Sequence, residues 1–112
     1  MRTTNKLYLR GYVGQDPKTF GKTCKVDIAT NRVWKDKQGE IQKATDWNTV
    51  TILDERTASW VAENVQKGDP VYVEARVSQG SYKKGDETIY TVDIIAELFD
   101  SLVPNGKDDE QE

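Results

Sequence analysis

Five stretches of this chain alternate between apolar and polar residues with a period of two, the period of a strand that buries one face. Leu7, Leu9, Gly11 and Val13 alternate with Tyr8, Arg10 and Tyr12, and Asp16-Pro17 follows as a stop. Cys24, Val26, Ile28 and Thr30 alternate with Lys25, Asp27 and Ala29. The run from Trp47 to Leu53 is dense in β-branched and aromatic residues. Val71, Val73, Ala75 and Val77 alternate with Tyr72, Glu74 and Arg76, and Ile89 to Ile95 supplies a fifth strand. One segment follows another rule. Ala58, Val61, Ala62 and Val65 recur at i, i+3, i+4 and i+7, which predicts a helix. Asp54 suits its N-cap, Glu55 the positive end of its dipole, and Gly68 its stop.

The order is three strands, a helix, then two strands. That is the order of an OB-fold, a five-stranded Greek-key barrel with a helix between its third and fourth strands. The expected fold is therefore all-β with one short helix, spanning residues 1–103. Two long hairpins are expected to project from it, one from Trp34 to Asp46 and one centred on Lys83-Lys84-Gly85-Asp86. Residues 104–112 form a polar, acidic end that is expected to be disordered.

The net charge of -3 gains meaning once it is placed along the chain. The acidic end carries four acids and one base, and setting it aside leaves 15 acids and 15 bases in residues 1–103. A neutral body neither demands nor excludes a phosphate-binding face. No run approaches the roughly 18 apolar residues of a membrane span, and Met1 to Lys6 has no secretory signal pattern. A single cysteine, Cys24, permits no internal disulfide and fits a reducing compartment, so the expectation is a cytoplasmic, nucleoid-associated protein.

Enzymatic chemistry finds little support. There is no histidine, the usual general base and imidazole ligand. Cys24 shares a strand face with Val26 and Ile28 and reads as a buried structural thiol. Gly21-Lys22-Thr23 resembles the end of a phosphate-binding loop, but position 16, where its first glycine belongs, is Asp16, and a strand rather than a helix follows. Gly11 and Gly14 read as glycines that let a barrel strand coil. No catalytic residue, metal or cofactor is expected.

Aromatic residues beside cations are more informative. Trp34 lies in Arg32-Val33-Trp34-Lys35-Asp36-Lys37, Trp47 opens the third strand, and Tyr82 precedes Lys83-Lys84. A flat ring can stack on any base while neighbouring cations meet phosphates, each stacked base contributing on the order of 1–3 kcal/mol. The same rings could instead pack in the core or staple the hairpins.

Longer stretches carry a resemblance. Asn5-Lys6-Leu7, Gly11 to Pro17, Ile28 to Glu40, Asp46-Trp47, Lys67 to Glu74 and Ile89-Tyr90-Thr91 together resemble the bacterial-type single-stranded DNA-binding proteins over residues 5–100. The resemblance implies an OB-fold, usually homotetrameric with a dimer as the alternative, that coats single strands in replication, recombination and repair. It carries the family's stacking positions onto Trp34, Trp47 and Tyr82. Phosphate partners are then expected among Lys35, Lys37, Lys43, Arg76, Lys83 and Lys84, with Arg10 and Lys6 after them. The chain departs from the family pattern at Leu53, where the family has a stacking phenylalanine, and at Asn48, where it has a histidine associated with assembly. Arg76 stands nearly alone where the family clusters bases, and Phe20 occupies a short loop. Trp60 has no counterpart and is expected to pack on the helix flank. Residues 104–112 carry acids without the apolar tip through which such proteins recruit replication and repair partners, so that recruitment is not expected of them.

Tyr8, Arg10, Tyr12 and Tyr72 fall on outward strand faces and are candidates for a subunit interface. Two other readings stay open on the sequence: a replication accessory whose main surface binds protein, and an RNA-binding module.

Overall fold

The computed structural model describes residues 1–104, so the acidic end lies outside the described residues except for Pro104. The elements are β1 (Leu7–Val13), β2 (Lys18–Phe20), β3 (Thr23–Lys35), β4 (Ile41–Ile52), α1 (Glu55–Asn64), β5 (Pro70–Lys84) and β6 (Glu87–Ser101). In space the strands run β1, β5, β6, β4, β3, and β3 returns to β1 through Tyr12↔Ala29 and Val13↔Ile28. The result is the closed five-stranded OB barrel, with the helix after the third barrel strand. β2 is an addition to the expected list. It pairs with Thr23–Lys25 of β3 outside the barrel, and its three residues are too few for a period-two pattern to register.

Alternation fills the barrel. Cys24, Val26 and Ile28 of β3, Val50 and Ile52 of β4, and Val71, Val73 and Ala75 of β5 are at most 1% exposed. Fully burying each Val or Ile contributes about 1.5–3 kcal/mol. Burial also pushes the Cys24 thiol upward, as an inert structural role requires. Helix α1 closes the barrel floor through Ala58 and Val61, with Val65 as its C-cap. Asp54 caps the other end, its carboxylate accepting from Thr57 N–H at 3.0 Å and from the Thr57 hydroxyl at 2.7 Å. Ala62, expected on the buried stripe, is exposed, because a ten-residue helix meets the barrel along the narrower line of 58, 61 and 65. Gly68 does not end the helix. It sits in a later turn, where its N–H donates to the Val13 carbonyl at 2.7 Å.

The long hairpins prove to be strand nearly to their tips. β3 and β4 stay in register from Cys24↔Ile52 out to Lys35↔Ile41, and β5 and β6 pair from Val71↔Ser101 to Lys84↔Glu87 with one register shift between Glu74 and Ala75. β4 and β6 run parallel and touch only at Val50↔Ile94 and Thr51↔Ile95. Because they run parallel, residues 41–49 and 87–93 leave the barrel at the same end. Two ribbon-like arms therefore rise side by side from one rim.

Candidate nucleic-acid interface

Strand register fixes what each arm presents. On β4 the core residues are Val50 and Ile52, so Trp47, Thr45 and Lys43 point to the outer face of the first arm. Ala29 is opposite Trp47, and on the far side of Ala29 lies β1. The Trp47 ring reaches over this small residue to the end of β1. A Cβ built on Gly14 would come within 2.1 Å of a ring carbon, so the benzo edge of the indole abuts the glycine directly. The ring is thus braced by one edge against the barrel while the residue stays 61% exposed. The role of Gly14 is close approach to the edge of a tryptophan, a stronger requirement than the strand coiling expected of it.

Trp34 lies on the other face of the same arm, in line with Ile28, Thr30 and Arg32. Its ring is covered on one side, by the Arg32 guanidinium carbon 4.6 Å from the ring centroid, and it remains 42% exposed. Arg32 in turn donates through Nε to Asp46 Oδ2 at 3.0 Å. Sequence reasoning passed over Arg32, although its position two residues before Trp34 on a strand already places the two on one face.

Tyr82 belongs to the second arm, opposite Ile89 and 54% exposed. It shares the outer face with Arg76, Ser78 and Gly80, and that face continues through Ile95 and Thr51 toward Trp47. The three rings therefore do not form one flat platform. Trp47 and Tyr82 face outward, and Trp34 faces the space above the barrel.

The cations divide in the same way. Lys35 and Lys43 are diagonal neighbours on the outer face of the first arm, and Lys37 sits in its tip. Arg76 and Lys84 share the outer face of the second arm with Tyr82, whereas Lys83, opposite Thr88, points the other way. All six are exposed. Lys6 and Arg10 are not brought to the arms. The Lys6 ammonium bonds Glu97 at 2.6 Å, which holds it above the ordinary lysine value. Arg10 stands opposite and over Tyr72, 5.8 Å from its ring centroid.

The first arm's tip is locked by one carboxylate. Asp36 accepts from the backbone N–H of Gln38 and of Glu40, each at 2.9 Å, and from the Gln42 amide at 3.0 Å. The Glu40 N–H and then the Gln42 amide hold the Asp36 carboxyl below the usual carboxylate range. The hydroxyl and N–H of Thr57 do the same for Asp54 at the helix cap. A depressed folded-state value means stability that is present above the unfolded carboxylate value, about 3.9, and lost as pH falls through the folded one. Thermal midpoints measured from pH 7 down to pH 2.5 are expected to fall most below pH about 4, and Asp36→Asn with Asp54→Asn to flatten that fall. An unchanged pH profile in the double variant would show that these two carboxylates are not its source.

Other expectations resolve differently. Trp60 is 47% exposed, so the helix flank covers only half of it. Leu53 is 51% exposed at the end of β4, and Phe20 on β2 is 55% exposed with the Lys25 ammonium 5.5 Å from its ring. Among the described residues, no three His, Cys, Asp or Glu side chains gather as a metal site would need. No helix there is long and apolar enough to cross a membrane.

The sequence signature of the Single-strand binding protein family matches residues 4–102. The chain belongs to that family. Among solved structures, this single-strand binding family member is similar to a Plasmodium falciparum SSB in complex with ssDNA, at 25% identity and a TM-score of 0.74, covering 91% of this chain and 96% of the other. It resembles in fold a single-stranded DNA binding protein from Thermus aquaticus, at 20% identity and a TM-score of 0.74. There the match covers 92% of this chain but 52% of the Thermus protein. A mitochondrial single-stranded DNA binding protein from S. cerevisiae shares the fold at 24% identity and a TM-score of 0.62, with 90% and 97% covered.

Proposed function

We propose that this chain binds and protects single-stranded DNA without strong sequence preference, in support of replication, recombination and repair, and that it does so without catalysis. One observation carries the reading. Trp34 and Trp47 are each held in place, one by Arg32 over a ring face and the other by Gly14 against a ring edge, and both stay exposed on an arm lined with exposed lysines. A ring held in place stacks with little further loss of freedom, and stacking tolerates every base. The similar Plasmodium protein, described as an SSB bound to ssDNA, supports the same reading. The strand's path follows from the split faces: to meet all three rings it passes around the edge of the first arm.

Titration with oligo-dT is expected to quench tryptophan emission. Log K is expected to fall with log salt by about 0.7 for each phosphate neutralised. A matched oligo-rU strand measures the preference for sugar. No binding to either strand at low salt would remove this reading and leave protein contacts as the main activity.

Self-association belongs to the same proposal. Among the described residues the β1 edge is unpaired on one side from Leu7 to Gly11, and Tyr8 and Tyr12 beside it are 60% and 54% exposed. On the second arm Tyr90 and Val92 are 68% and 73% exposed. An open strand edge flanked by apolar residues is a template for a second copy. A homotetramer is the favoured assembly and a dimer the alternative. Light scattering that gives one chain of 12.7 kDa at micromolar concentration would overturn it.

A further inference from the structure

Asp46, Arg32 and Trp34 form a row along one face of the first arm. Register places Asp46 opposite Thr30, Ala44 opposite Arg32 and Gln42 opposite Trp34. The Asp46 carboxylate anchors the Arg32 guanidinium at 3.0 Å, and the guanidinium carbon lies 4.6 Å from the indole centroid. Ala44, a single methyl across the ribbon, leaves space for the guanidinium beside it. Beyond the ring, Gln42 is tied to Asp36 at 3.0 Å, so both ends of the row are fixed. A cation over an indole is held by the ring quadrupole, and a planar guanidinium fits that face well.

We propose that Arg32 is a positioning residue for Trp34 rather than a phosphate contact. It occupies one face of the indole, so the ring accepts one base on the other face, and Asp46 neutralises its charge. The bound arrangement is a stack of base, indole and guanidinium with a carboxylate at its far edge. This rests on the single-strand reading above. It separates Arg32 from Lys35 and Lys43, which have no such carboxylate bonded to them among the described residues. Arg32 contributes to affinity without contributing to salt dependence, and removing the Asp46 charge releases a cation that does contribute.

The test uses the full chain carrying Trp47→Phe and Trp60→Phe, so that emission reports Trp34 alone. This parent, Arg32→Ala, Arg32→Lys and Asp46→Asn are titrated with oligo-dT over a range of salt. Acrylamide quenching is measured without DNA. Arg32→Ala is expected to weaken binding about two- to five-fold, the scale of an exposed cation–π contact. Its salt slope is expected to stay at the parent value, and its free Trp34 to become more accessible to acrylamide. Arg32→Lys is expected to recover part of both losses. Asp46→Asn is expected to steepen the slope by about 0.7, one further phosphate. A slope that flattens by about 0.7 in Arg32→Ala, or acrylamide access that does not change, overturns the proposal and leaves the single-strand reading standing. The protein with all three tryptophans is titrated alongside, and its failure to bind oligo-dT at low salt overturns both.

Discussion

Replacing Trp34 and Trp47 together with alanine is expected to abolish most single-strand binding while the barrel stays folded. Each ring contributes on the order of 1–3 kcal/mol through stacking. The two lie on opposite faces of the arm and share no bonded partner, so their losses are expected to add, giving about 2–6 kcal/mol together. Neither belongs to the buried cluster of Val, Ile and Cys side chains, so truncation opens no cavity in it. The double variant keeps Trp60, which supplies a control in the same cuvette. Its emission is expected to be unmoved by oligo-dT, because Trp60 sits on the helix at the barrel floor, away from the arms. Two outcomes would sink the assignment: a double variant that binds like the parent, or one whose remaining emission is still quenched on binding.

Two glycines separate binding from folding. A methyl on Gly14 would lie 2.1 Å from a Trp47 ring carbon, and that ring is the mobile partner. Gly14→Ala is therefore expected to push the indole out of its place and cost binding up to what Trp47→Ala costs, on the order of 1–3 kcal/mol, with a red-shifted emission and a small change in stability. A methyl on Gly11 would lie 2.2 Å from the Ala29 carbonyl oxygen, which is backbone and has nowhere to go. Gly11→Ala forces apart the short β1–β3 contact that closes the barrel, and overpacking of this kind costs about 1–3 kcal/mol or more. Urea midpoints and oligo-dT affinities measured on both variants distinguish the roles. If Gly14→Ala binds normally, the glycine does not set the position of the ring; if Gly11→Ala unfolds at the parent's midpoint, the closure tolerates what the geometry forbids.

The residues that fill the barrel could be read from the sequence because strand burial has a period of two, and Leu9, Val26, Ile28 and Val73 keep that period without interruption. The helix was legible for a similar reason, although Ala62 shows that periodicity sets a stripe's direction better than its width. The rings could be named from their neighbours and from the family resemblance, but not their orientation. Nothing in a linear order says that Gly14 abuts Trp47, since that contact crosses three strands and depends on Ala29 being small. The pairing of Lys6 with Glu97 was hidden likewise. Those residues are 91 apart in sequence, and an irregularity in the β5–β6 ladder at Glu74/Ala75 brings Glu97 into reach. Arg32 was the avoidable omission, because alternation alone sets it beside Trp34.

The barrel is laced along two very unequal kinds of seam. β3 pairs with β4, and β5 with β6 apart from one bulge, over nearly their whole lengths, and β1 is laid along β5. The two resulting ribbons are joined by short stretches of pairing, at Tyr12 and Val13 of β1 with the following Gly14 on one side and at Val50 and Thr51 on the other. Mechanically this is a pair of tongs, with the arms as jaws and the short seams as the fulcrum. A load placed on either arm is therefore carried to the other through these short seams.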